Sequence, residues 1–107
     1  IHNIKRIFNI DKKIIKIEEN SYLDLQNLEI NLNKKSFIIS KKESEILAYL
    51  LNNPKKTISI EEIINNIWSY EDSVESSTIR TYIKNLRKIL GEDKILNIRG
   101  VGYRFNF

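Results

Sequence analysis

The hydrophobic period changes twice along this chain, and that change limits the folds open to it. From Ile14 to Ser40 the apolar residues come in short β-rich runs: Ile14-Ile15-Lys16-Ile17, Tyr22-Leu23-Asp24-Leu25, Leu28 to Leu32, and Ser36 to Ile39. Polar turns separate them. Leu28, Ile30 and Leu32 alternate with Glu29 and Asn31, so one face of that strand meets a core and the other meets water. A small antiparallel meander is expected. From Ser40 to Leu90 the period is helical. From Ile95 to Phe107 it is strand-like again, with Tyr103, Phe105 and Phe107 on one face. Residues 1–13 mix isolated apolar residues with charge and read as a linker or a first strand.

The helical stretch divides into three. Ser40-Lys-Lys-Glu43 has the form of a capping box, and Ile46, Leu47, Leu50 and Leu51 make a buried stripe before Asn52-Asn53-Pro54 stops the helix. Ser59-Ile-Glu-Glu62 predicts a second box, with Ile58 and Ile63 as a hydrophobic staple and Ile60, Ile63, Ile64 and Ile67 facing inward. That helix ends near Trp68. Asp72 or Ser73 is positioned to cap a third helix, which runs to Leu90 and stops at Gly91. Beyond it, Arg99-Gly100-Val101-Gly102 joins two strands, and its glycines suit a hairpin tip.

Composition narrows the function. The chain has 107 residues, about one domain, with 41% apolar and 30% charged residues. The longest apolar run, Ile46 to Leu51, is far short of the ~20 residues that span a bilayer. There is no cysteine and a single histidine, His2, so no disulfide, thiolate site or His-based catalytic or zinc centre is expected, and no cofactor. An enzyme is not expected. A chain that starts at Ile1 is expected to be the back part of a longer parent protein.

The net charge of +4 is unevenly placed. Residues 40–76 are net acidic, whereas residues 77–107 hold more than the whole surplus and four of the five arginines. On a helical wheel of ~100° per residue, Ile79, Tyr82, Ile83, Leu86, Ile89 and Leu90 of the third helix face inward. Arg80, Thr81, Lys84, Asn85, Arg87 and Lys88 face outward, and no acid occurs between Glu75 and Glu92 to balance them. A solvated surface is the plain reading of such a face. Its position after two capped helices, directly before a Gly-tipped hairpin bearing Arg99, favours a winged helix that binds DNA. Lys and Arg neutralise phosphates, a Thr methyl can touch thymine, and Asn can read adenine. Trp68 reads as core, with an indole N–H able to reach a phosphate. Glu18-Glu19, Glu61-Glu62 and Glu71-Asp72 read as helix-start or turn charges, and Lys55-Lys56 as a solvated turn. Gly100-Val-Gly102 is too short for a nucleotide-binding fingerprint.

Four segments carry a family resemblance: Ser40-Lys-Lys-Glu-Ser-Glu-Ile-Leu; Ile58-Ser-Ile-Glu-Glu-Ile-Ile with Ile67-Trp68; Thr78-Ile-Arg-Thr-Tyr-Ile-Lys-Asn-Leu-Arg-Lys-Ile-Leu-Gly91; and Ile98-Arg-Gly-Val-Gly-Tyr-Arg-Phe105. Together they resemble the effector domain of the OmpR/PhoB family of bacterial response regulators, over about residues 14–107. The resemblance implies an α+β winged helix-turn-helix with an N-terminal four-stranded antiparallel sheet, three helices and a C-terminal hairpin wing. It also implies sequence-specific binding to double-stranded DNA, with the third helix in the major groove and the wing in the minor groove. By position, Ser77, Thr81 and Asn85 fall at base-facing places, with Arg80 and Lys84 beside them. Trp68, Thr78, Lys84 and Arg87 fall at backbone contacts, and Arg99, Gly100, Val101 and Gly102 form the wing; phosphate contacts are expected from Lys84, Arg87, Lys88 and Arg99. Ser77 stands where Arg is common and Arg80 where Asp is common, so no target sequence follows. The partners implied are direct-repeat promoter sites bound by a tandem dimer, and RNA polymerase at the loop 69–76. An N-terminal receiver domain in the parent, a sensor histidine kinase and a cytoplasmic location are implied too. Two alternatives use the same fold: a membrane-anchored regulator, and a protein-interaction module that binds an acidic partner.

Overall fold

A computed structural model describes residues 13–69 and 71–107. The expected linker or first strand therefore lies outside the described residues, Lys13 excepted. Four short strands, β1 (Ile14–Glu18), β2 (Ser21–Asp24), β3 (Glu29–Leu32) and β4 (Lys35–Ile38), form an antiparallel sheet in chain order. Tight polar turns make this possible. Asn33 and Lys34 both take positive φ in the two-residue β3–β4 turn, the conformation that matches strand twist. The Asp24 carboxylate accepts hydrogen bonds from the backbone N–H groups of Gln26 and Asn27, each at 3.0 Å, and so shapes the β2–β3 turn. Leu28, expected inside the third strand, has φ 55° and belongs to that turn; its carbonyl accepts the N–H of Ile39. Leu23 and Ile30 are fully buried on the inner face, whereas Ile38 is 82% exposed on the other.

Three helices follow: α1 (Lys41–Leu51), α2 (Ile60–Ile67) and α3 (Ser76–Leu90). The α1 box forms completely, since Ser40 Oγ accepts the Glu43 N–H at 3.1 Å and Glu43 Oε1 accepts the Ser40 N–H at 2.9 Å. At α2 only half of the expected box forms. Ser59 Oγ accepts the Glu62 N–H at 3.0 Å, but the Glu62 carboxylate turns to Tyr49 Oη at 2.6 Å and Lys56 Nζ at 2.9 Å. Two stronger donors outcompete the backbone amide. Lys56 is thus an ion-paired residue rather than part of a merely solvated turn. Of the four isoleucines assigned to the inner stripe of α2, Ile63 is fully buried while Ile60, Ile64 and Ile67 are half-buried against the core.

The third helix starts later than its capping residues suggested. Asp72 donates its N–H to the Ser69 carbonyl in a turn, half-buried Val74 packs against the core, and the chain runs extended into Glu75. Packing of Val74 holds this stretch out of the helix, so Asp72 and Ser73 cap nothing and α3 begins without a side-chain cap. Gly91 ends it at φ 110° as expected.

The hairpin of β5 (Ile95–Ile98) and β6 (Gly102–Phe105) closes the core. Tyr103 and Phe105 are buried; Phe107 lies beyond the strand, exposed, with its ring centroid 4.7 Å from that of Phe105. Ile58, just before α2, exchanges two backbone hydrogen bonds with Tyr103 (2.7 and 2.8 Å), so the wing is sewn to the segment that launches α2. Ile46, Leu47 and Leu50 of α1, Ile63 of α2, and Ile79, Ile83 and Leu86 of α3 share one core with Ile95, Tyr103 and Phe105. Burial of Ile79, Ile83 and Leu86 at helical spacing fixes which face of α3 turns outward. Among the described residues no helix is long and apolar enough to cross a membrane.

Candidate nucleic-acid interface

The outward face of α3 carries Ser77, Thr78, Arg80, Thr81, Lys84 and Lys88, all exposed. Among the described residues, Arg80, Lys84 and Lys88 make no ion pair and no side-chain hydrogen bond. Their charges are therefore available to a ligand. The wing stands beside them. Arg80 lines a groove with Ser59, Ile60 and the wing residues Arg99, Gly100 and Val101. A second groove runs from Arg80 along Lys84, Arg87 and Lys88 to Asn97 and Tyr103 of the hairpin. The cationic helix face and the hairpin thus border one continuous surface.

The tip is built by Arg99, Gly100 and Val101, all exposed, with the Val101 N–H donating to the Ile98 carbonyl at 2.9 Å. Gly100 has φ 77° and faces open space. Gly102 is needed for a different reason. A Cβ there would lie 2.1 Å from the Ile58 carbonyl oxygen, because the β6 backbone presses against Ile58 to make its two hydrogen bonds.

Two residues assigned to the outward face are held by the protein. Asn85 is half-buried, and its Nδ2 donates to Glu43 Oε2 at 3.0 Å. The helical wheel placed it near the edge of the exposed arc, but the close packing of α1 covers that edge. The amide expected to read adenine thus has a partner within the protein. Nothing local in the sequence signals this bond, since Glu43 already has a complete local role in the α1 cap. Arg87 donates through Nη2 to the Glu92 carbonyl at 3.0 Å, with the Glu92 carboxylate 3.9 Å away. Its side chain is 31% exposed.

Trp68 is the C-terminal cap residue of α2 and is half-buried. Its ring stacks on Tyr82 of α3 with centroids 6.1 Å apart, and Lys42 Nζ lies 4.9 Å from its centroid on another element, α1. Lys42 also donates to the Ile67 carbonyl at 3.0 Å, which satisfies an orphan acceptor at the α2 end. Trp68 therefore ties all three helices together beside the interface. The role of Lys42 was not visible in the sequence, because it depends on where α2 ends relative to α1.

Residues 34–105 match the family model described as "Transcriptional regulatory protein, C terminal". The chain is 41% identical over 103 residues to the transcriptional regulatory protein CrdR of Helicobacter pylori, covering 96% of this chain and 46% of that protein. The response regulator DrrB of Thermotoga maritima, an OmpR/PhoB homologue, superposes with a TM-score of 0.75 at 30% identity, covering 97% of this chain and 49% of that one. The C-terminal domain of the nisin resistance regulator NsrR gives a TM-score of 0.68 at 29% identity, covering 80% of this chain and 90% of that domain. This chain spans less than half the length of CrdR and of DrrB. It belongs to the family of OmpR/PhoB-type C-terminal DNA-binding domains of transcriptional regulators.

Proposed function

We propose that this chain binds double-stranded DNA sequence-specifically, with α3 in the major groove and the wing tip in the adjacent minor groove. A helix of ~10–12 Å diameter fits the major groove, where side chains meet base edges. The observation that carries the reading is the cationic face of Arg80, Lys84 and Lys88, unpaired among the described residues, bordering the same surface as Arg99. Lys84, Lys88, Arg87, Thr78 and the Trp68 indole contact phosphates and set register, while Arg80, Lys84, Thr81 and Ser77 face bases. Arg99 enters the minor groove and neutralises a phosphate at its edge. Residues 14–107 form the DNA-binding unit.

The parent protein is then a cytoplasmic two-component regulator whose receiver domain is phosphorylated by a sensor histidine kinase. It pairs in tandem on direct-repeat promoter sites, and the exposed acidic loop with Glu71, Asp72 and Glu75 is available to RNA polymerase. Random-library selection of duplexes on the purified chain tests the core of this. Enrichment of one motif, bound in the presence of heparin, is expected. Failure to enrich, with heparin removing all bound DNA, would instead favour a module for acidic proteins.

A further inference from the structure

We propose that base reading is confined to the first two turns of α3, where Thr81 reads a thymine through its methyl group alone, while Asn85 is a positioning residue. This rests on the reading of α3 as a major-groove helix. The Thr81 hydroxyl donates to the Ser77 carbonyl at 3.0 Å. Its one hydrogen is therefore spent on the preceding turn and cannot be given to guanine O6 or N7, adenine N7 or thymine O4. What stays free on this exposed side chain is the methyl and the acceptor lone pairs of the oxygen, and thymine has no major-groove donor for the latter, so the methyl is the contact a thymine receives. Its neighbours on the face, Arg80 and Lys84, are donors only and, among the described residues, without protein partners. They match the acceptors of guanine and disfavour the amino edges of adenine and cytosine. A thymine beside guanine is the target chemistry of this triplet.

Asn85 cannot join that set at low cost. Glu43 is 9% exposed and uses both carboxylate oxygens, Oε1 for the Ser40 N–H and Oε2 for Asn85. Swinging the amide into a groove would leave the second oxygen buried without a partner. Asn85 instead fixes the azimuth of α3 against α1, and so aims Thr81.

The test replaces each thymine of the selected site in turn by deoxyuridine, which removes only the C5-methyl. At one position the unaltered chain should lose about fourfold in affinity, the worth of one buried methyl. Thr81→Ser should bind thymine and deoxyuridine duplexes equally, while Thr81→Val should keep the discrimination. Asn85→Ala, assayed below its melting temperature, should weaken binding yet select the same motif. The proposal is overturned if no thymine is sensitive, if Thr81→Ser still discriminates, or if Asn85→Ala changes the motif. Should the unaltered chain select no motif at all, the DNA reading itself fails, and the two failures stay distinguishable.

Discussion

At the scale of single residues, two glycines two positions apart do different work. Gly100 supplies a positive φ in open space, whereas Gly102 removes an atom from a backbone-to-backbone contact. Alanine at Gly100 should cost about 1 kcal/mol, the ordinary penalty for that conformation. Alanine at Gly102 must push β6 off Ile58 and weaken two hydrogen bonds, so at least ~2 kcal/mol is expected. Urea unfolding midpoints of the two variants measure the difference, and a larger loss at Gly100 would reverse the assignment. A turn at this pair was legible in the sequence, because glycine spacing between β-rich runs is a local signal. The reason for Gly102 was not legible, because its partner lies before α2. Asn85 shows the same limit: helical angle placed it approximately, but only the packing of α1 decided that its amide meets Glu43 rather than water.

At the scale of elements, boundaries with local chemistry were readable and those set by tertiary competition were not. Ser40 and Ser59 begin the same Ser-x-x-Glu pattern, yet only the first box closes. Tyr49 and Lys56 take the Glu62 carboxylate and lash α2 to the end of α1. The hydrogen bond from Tyr49, then that from Lys56, holds the Glu62 carboxyl below the ordinary glutamate range. The carboxylate bond likewise raises Lys56 and Tyr49. Glu62 therefore stabilises the fold fully above the pH at which the unfolded chain ionises it, and that contribution vanishes as acid protonates it in both states. The Lys56 and Tyr49 contributions run the other way, complete below their unfolded values and lost as alkali removes their protons. In melting curves, Glu62→Gln should melt below the unaltered chain at neutral pH, with the gap closing as pH falls below about 4. A gap that persists unchanged in acid would mean the carboxylate charge is not what ties the helices. The start of α3 escaped sequence reading for a related reason: Asp72 and Ser73 have the right chemistry for caps, but Val74 is drawn to the core first.

At the scale of the whole molecule, the order of elements and the cationic face were legible because both are periodic in the sequence. The charge map adds what periodicity leaves open. Lys94 of the hairpin base pairs with Glu18 of β1 at 2.6 Å, which spends a cation on holding the sheet to the wing. Arg87 is partly engaged by Glu92, whereas Lys88 and Arg99 have no side-chain partner among the described residues. Phosphate binding releases one condensed counterion for nearly every charge neutralised, so the slope of log affinity against log salt counts those contacts. Measured between roughly 50 and 200 mM salt, Lys88→Ala and Arg99→Ala should each lower the slope by about 0.9. Arg87→Ala should lower it by less, since Glu92 already offsets part of that charge. Lys35→Ala is the control. Lys35 lies on β4, at the sheet edge opposite the β1 strand that is bonded to the wing, and its removal should leave the slope unchanged. Equal slopes for Lys35→Ala and Lys88→Ala would show diffuse attraction to the whole basic chain; a difference localises the phosphates to the face shared by α3 and the wing.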